Sequence, residues 1–432
     1  MPSGRALILH AYGEPLRRAT NRDHVYAFAR HSRLRCTYVN VSVHGIPKRL
    51  QRTDYDLIVL HTSVLAGLRW PPRPPRWLYR RLEPLKRMSG VKVALPQDDF
   101  LRSRPVGELL AELRVDHVFT PVPESEWPRI YAAVDRERTQ LHLALTGYLE
   151  DEEVARMERI TAEVAERRPI DVGYRAWHAP PWLGRHGALK TRIADTFAAE
   201  GPKHGLVVDI STRDGDTKYG DDWTRFMAEC KYTIGVEGGA SIDDYDGSVR
   251  AATDAYVAAH PGASFEAVEA ACFPGRDGEL DLRALSPRHL EACVTRTCQV
   301  LIEGDYNGAL VAGVHYLPLK ADFSNLDEVL EAMRRDERRA EIVDNAYRDV
   351  VASQAWTYRS FVAEVERIAL GEAAAALSPA PATRSDRLAQ LEERLSWRWL
   401  GLRQSAILPA WLKLLGLIPR PVAEGLKRVL VR

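Results

Sequence analysis

Ten short apolar runs, separated by stretches long enough for a helix, restrict this chain to α/β architectures. The first five are ALILH (6 to 10), CTYVNV (36 to 41), DLIVLH (56 to 61), VKVALP (91 to 96) and HVFTPV (117 to 122). Their apolar residues are consecutive rather than alternating, as in strands buried on both faces of a parallel sheet. Each run ends in polar residues, Gly or Pro, so residues 1 to 150 are expected to form a doubly wound, Rossmann-like domain. After the charged helical segment EDEEVARMERITAEVAERRP the pattern restarts with DVGYRA (171 to 176), GLVVDIS (205 to 211), YTIGV (232 to 236), CQVLIEG (298 to 304) and HYLPLK (315 to 320). A second Rossmann-like domain is therefore expected over residues 151 to 345. No short fixed period is present, which excludes solenoids.

Residues 346 to 370 read as a helix packing back on the body, and GEAAAALSPAPATRS (371 to 385) as a small-residue linker. Residues 386 to 432 read as a basic, Trp-rich amphipathic tail. It sets Trp397, Trp399 and Trp411 beside Arg394, Arg398, Arg403, Lys413, Lys427 and Arg428. Such a tail is expected on an anionic membrane surface, the alternative being a helix packed on the body or on a second subunit.

Sixty basic residues nearly cancel fifty-nine acidic ones. No global field marks a nucleic-acid binder, and any anion site must be local. Five scattered cysteines fit neither a zinc site nor a disulfide scaffold, and read as reduced thiols. The apolar run at the N-terminus suits a first strand rather than a signal peptide, and no run of about 20 apolar residues occurs. The expectation is a cytoplasmic protein, peripheral on the inner face of the plasma membrane through its tail.

Open α/β sheets bind ligands beyond the carboxyl ends of their strands. Three such loops of the second domain carry chemistry. GYRAWHAPPWLGRHGALK offers Arg175, Arg185 and Lys190 for phosphate oxygens. YTIGVEGGASIDDYDGS runs a strand into Glu237, Gly238 and Gly239, where a ligand could approach open backbone. LSPRHLEACVTRTCQVLIEG opens a helix at Ser286 and Pro287, presenting free N–H groups beside Arg288, with Glu291 one turn in. Taken singly, each has a structural explanation: surface cations, a tight turn, or ordinary dipole compensation.

Together the three loops resemble the GT-B glycosyltransferases of the "glycosyl transferases group 1" type. In that family a strand ends in an E-G element, and a second glutamate opens the helix before a later strand; here the matching stretches are VEGGAS, SPRHLEA and CQVLIEG. A long insertion, DGSVRAATDAYVAAHPGASFEAVEAACFPG, separates Glu237 from Glu291 in this chain. The resemblance implies two Rossmann-like domains facing each other across a cleft. The first would bind the acceptor; the second would bind a nucleotide-diphosphate sugar, with Glu291 on the donor's ribose and Glu237 near the transferred sugar. Asp98 and Asp99 after the fourth strand, and His10 with Glu14 after the first, are the acceptor-side candidates, including a general base. His117, at the start of its strand, reads as structural.

Asp244-Tyr245-Asp246 is a D-x-D, the metal-holding element of the other large glycosyltransferase architecture. Its place inside a second Rossmann-like half favours solvated or helix-capping carboxylates, so transfer is expected to need no metal or other cofactor. The implied function is transfer of a sugar to a glycan or lipid-linked acceptor in bacterial surface or cell-wall polysaccharide biosynthesis. The alternatives are a non-catalytic nucleotide-binding or scaffold protein of the same fold, and a sugar-nucleotide epimerase.

Overall fold

A computed structural model describes residues 3–407 apart from 15, 17, 72–73 and 165–166. Strands β1 (Ser3–His10), β2 (Arg35–Asn40), β3 (Leu57–Leu60), β4 (Val91–Ala94), β5 (His117–Thr120) and β6 (Gln140–Leu143) pair in parallel in the order 2-1-3-4-5-6. Alternate residues of β1 enter different cores: Leu7 and Leu9 pack with Ile58 and Leu60, whereas Ala6 and Ile8 pack with Val59, Val93 and helix α1 (Ala19–His31). Burial on both faces is why this strand is apolar throughout.

The second domain runs through β7 (Ile170–Arg175), α2 (Gly184–Glu200), β8 (Val208–Ser211), α3 (Gly220–Glu229) and β9 (Cys230–Gly235). It continues through β10 (Gly238–Ala240), α4 (Ser248–Ala259), α5 (Phe265–Cys272), β11 (Leu282–Ala284), α6 (Pro287–Val294), β12 (Cys298–Ile302) and β13 (Leu317–Leu319). Its parallel sheet has the order 13-12-9-7-8, and β10 with β11 forms a separate antiparallel ribbon. Two doubly wound sheets meeting at a cleft is the GT-B architecture.

The chain then returns to the first domain. Helix α7 (Tyr358–Leu370) buries Phe361, Val362 and Val365 against the β1 face of that sheet. Residues 371 to 385, expected to be a linker, are instead anchored: β14 (Ser378–Pro379) pairs with the start of β1, and Arg35 donates to the Ala380 carbonyl. Helix α8 (Arg384–Leu402) then packs along β2, covering an edge strand that would otherwise expose unpaired backbone groups. The described part of the tail is thus docked on the body by one face. Trp411, Lys413, Lys427 and Arg428 lie outside the described residues.

The segment between the two glutamates, with the insertion at its centre, builds a bridge. The Asp244 amide donates to the Phe100 carbonyl at 2.8 Å, and the Arg102 amide donates to the Asp244 carbonyl at 2.6 Å. Ser103 Oγ donates to Asp243 at 2.9 Å, and Arg250 donates to the Trp70 carbonyl at 3.0 Å. Ile242, Val249, Val268 and Phe273 share one core with Phe100, Leu101 and Trp127 of the first domain. The cleft is therefore closed at one side by packed apolar side chains and backbone hydrogen bonds.

Docking of α8 should depend on pH. Burial alone would raise the Asp386 and Glu393 carboxyls, but bonds to Thr383 and Arg5 hold the first below its usual range, and bonds from His10, Tyr26 and Trp397 hold the second below its own. A depressed folded pKa contributes stability above the unfolded value, about 4, and loses it as pH falls through the folded value. Amide protection factors across 384–402 should fall between pH 5 and 3 more than those of α7, and Glu393→Gln should reduce that difference; equal falls in both helices would exclude this coupling.

Candidate functional site

The cleft lies between the carboxyl ends of both sheets. From the first domain, the loop after β4 brings Asp98, held at a φ of +56°, to face the second domain. From the second domain come Lys190 on α2, in the helix after β7, and Arg288 in the first turn of α6. Asp98 is open to solvent, yet the cleft walls crowd it enough to raise its carboxyl, a rise opposed by Arg69 and Lys190. Lys190 makes no hydrogen bond or ion pair among the described residues. Burial, then the neighbouring Arg288 cation, pushes its ammonium down to about 8, with Asp98 acting in the opposite direction. Two cations thus share a crowded wall with no carboxylate bonded to either among the described residues, Asp98 and Glu291 acting on them only at longer range.

Glu291 sits one turn into α6 and accepts a hydrogen bond from Trp223 Nε1 at 2.8 Å. Burial raises its carboxyl, while the Trp223 bond and Arg288 oppose that rise. Arg18 and Glu153, close enough to act on Glu291, belong to the lining of an adjoining cavity of about 650 Å³ between the two domains, shared with Arg22, Arg156 and Gly220. A second cavity, of about 420 Å³ beside Gly90, Asp116 and His117, lies at the amino ends of β4 to β6, away from the cleft. His117 there pairs with His142 at 3.1 Å, one strand away.

The other second-domain residues singled out in the sequence separate into distinct roles. Arg175 is tied to Asp209 at 2.7 Å and lies over the Phe226 ring; its carbonyl accepts from Arg288 at 2.8 Å, so it positions that cation. Arg185 is exposed and spends its guanidinium on Glu266, Glu269 and Asp277, fastening the insertion to α2. Ser286 occupies the N-cap position of α6 without a side-chain capping bond. The next residue, Pro287, packs on Gly147, where an added Cβ would come within 2.7 Å of the proline ring.

Burial separates several of the expected site residues from the open cleft wall. Glu237 is 3% exposed and accepts the Tyr306 amide at 2.7 Å, so its carboxylate supports the loop after β12. Gly238 and Gly239 lie in the ribbon with β11, and Gly239, at a φ of +119°, has no room for a Cβ against the Leu282 carbonyl. Backbone pairing explains Gly239, whereas a Cβ at Gly238 would meet only the Ala284 carbonyl, at 3.4 Å. Asp99 is sealed in an ion pair with Arg69 and accepts from Thr120. His10 is also sealed, bonded to Glu393 at 2.9 Å and stacked on Trp397 of α8. Glu14 is exposed in the loop after β1.

The D-x-D carboxylates cap α4. Asp244 accepts the amides of Gly247, Val249 and Arg250, and Asp246 accepts that of Ser248. Among the described residues no cluster of His, Cys, Asp or Glu has the form of a metal site.

Sequence reading missed Trp223 and His186. Trp223, in YGDDWTRFM, looks like any aromatic on an amphipathic helix, and only its indole bond to Glu291 distinguishes it. His186 bonds through Nε2 to the Glu237 and Gly238 carbonyls at 3.2 and 3.3 Å and fixes the turn after β9.

Capping and metal holding respond differently to substitution at Asp244. Asn keeps one oxygen for the Gly247 and Val249 amides but leaves that of Arg250 without an acceptor, and should cost less than Ala, which loses all three bonds and should cost about 0.5–2 kcal/mol. Urea unfolding of the two variants tests this. Equal losses of activity in both, with unchanged stability, would identify a metal ligand instead.

Neither a family model nor a curated protein sequence matches the chain. Solved structures do. HepE (Alr3699) of Anabaena, in complex with UDP and glucose, is 13% identical, with a TM-score of 0.46 over 84% of this chain and 99% of that one. A glycosyltransferase from Rickettsia africae is 8% identical, with a TM-score of 0.46 over 85% and 99%. The T4 phage BGT, in complex with UDP and Mn2+, is 11% identical, with a TM-score of 0.46 over 84% and 99%.

Proposed function

We propose that the protein transfers a sugar from a nucleoside-diphosphate donor to a hydroxyl of a glycan or lipid-linked acceptor. The observation that carries this reading is the adjacent pair Lys190 and Arg288, to which no carboxylate is hydrogen-bonded among the described residues, with Lys190 facing Asp98 across the cleft. Sugar transfer breaks the bond between the anomeric carbon and the diphosphate oxygen, so negative charge grows on the departing diphosphate. Fixed cations in a crowded, partly dehydrated cleft stabilise that charge more than they would in water. Glu291, with one oxygen held by Trp223, is suited to accept hydroxyls of the donor's ribose. Asp98, its carboxyl raised and open to solvent, takes the proton as the acceptor oxygen bonds to the anomeric carbon. The diphosphate leaves with the electron pair, and no metal is required in this scheme. The product belongs to surface or cell-wall polysaccharide synthesis.

Two measurements test the reading. UDP or GDP should bind in EDTA, with affinity falling as pH rises from 7.5 to 9. An anion favours protonated Lys190, whose pKa of about 8 lies within that interval. Lys190→Gln should bind more weakly and lose that dependence; titration calorimetry at several pH values decides it. Binding that appears only with manganese would overturn the metal-independent scheme. Separately, Asp98→Asn should lower kcat by about 10²-fold or more while leaving the donor KM near its native value. A native kcat in a stable Asp98→Asn protein would remove Asp98 from the chemistry.

A further inference from the structure

Helix α8 turns two unlike faces to its surroundings. All of its acids face the body: Asp386 pairs with Arg5, Glu392 with Arg49, and Glu393 with His10. Its outer face carries Leu388, Leu391, Leu395, Trp399 and Leu402, which are 40%, 51%, 50%, 46% and 59% exposed. Their spacings of three and four residues align them in one stripe, roughly 21 Å long at 1.5 Å per residue. Arg384, Arg387, Arg394 and Arg398 are exposed beside it, and none has an ion-pair partner among the described residues. The stripe is a contiguous apolar patch flanked by unneutralised cations, which a soluble surface ordinarily avoids.

We propose that the outer face of α8 rests on an anionic lipid bilayer, holding the acceptor domain against the membrane. Charge selects this occupant over a second copy of the chain, because two such faces brought together would confront arginine with arginine and offer no carboxylate. A bilayer accepts the leucines and Trp399 among its acyl chains, while the guanidinium groups meet lipid phosphates. The chain beyond α8 continues the same composition, with Lys413, Arg420, Lys427, Arg428 and Arg432 against Glu424. Because α8 also covers β2 and bonds His10 at the end of β1, the contact would orient the cleft relative to the membrane.

The full chain should sediment with vesicles of phosphatidylcholine and phosphatidylglycerol, and much less with phosphatidylcholine alone. Leu391→Ser, Leu395→Ser and Trp399→Ser combined should weaken sedimentation about tenfold or more at an unchanged melting temperature, since these side chains are exposed. Arg387→Gln, Arg394→Gln and Arg398→Gln combined should abolish the preference for the anionic lipid. Native sedimentation of both combined variants would overturn the proposal and assign lipid binding to residues after 407. A native chain that ignores vesicles and is dimeric by light scattering, with a monomeric serine variant, would also overturn it in favour of self-association. No nucleotide enters these assays, so their outcome is separate from that of the donor-binding tests.

Discussion

The backbone pairing of Phe100 and Arg102 with Asp244 is the contact on which the rest of the arrangement depends. Residues so distant in the chain meet because the segment after β10 buries Ile242, Val249 and Phe273 in the core of the opposite domain. Hydrogen bonds specify the register, and apolar burial supplies most of the stabilisation. With this bridge on one side, and the Thr146 bond to the Leu285 carbonyl at the crossing between domains, Asp98 and Lys190 are held on facing walls. The capping carboxylate of Asp244 belongs to the same device, because it starts the helix that carries the bridge.

Electrostatics divides cations that composition treats alike. Arg175, Arg185, Lys190 and Arg288 are all basic residues in or near strand-end loops. Arg185 meets three carboxylates, and Arg175 meets Asp209. Lys190 meets Arg288 instead, and the ammonium is pushed down to about 8. Like charges close together repel, a cost that an anionic ligand would relieve. This is a reason to regard Lys190 and Arg288 as binding groups and the other two as structural ones.

Long buried strands were legible because both of their faces meet a helical layer, which forces consecutive apolar residues. Strand β6 escaped because Leu143 is 53% exposed and QLHL lacks a continuous apolar run. β10, β11 and β14 are too short to leave a pattern, and Pro379 argues locally against a strand. Within the cleft, residue type pointed equally to Asp98 and Asp99, or to His10 and Asp98. Their difference lies in partners that the sequence does not reveal: Arg69 seals Asp99, and Glu393, from almost the other end of the chain, seals His10. Glu291 was readable from its helix position, but the indole that orients it was not.

A crystal structure of the protein with UDP bound bears most directly on the cleft as a donor site. The diphosphate oxygens should lie within hydrogen-bonding distance of Lys190 Nζ and the Arg288 guanidinium, with the ribose at Glu291 and the Asp98 carboxylate on the opposite wall. A nucleotide bound elsewhere, with Lys190 and Arg288 untouched, would contradict the account.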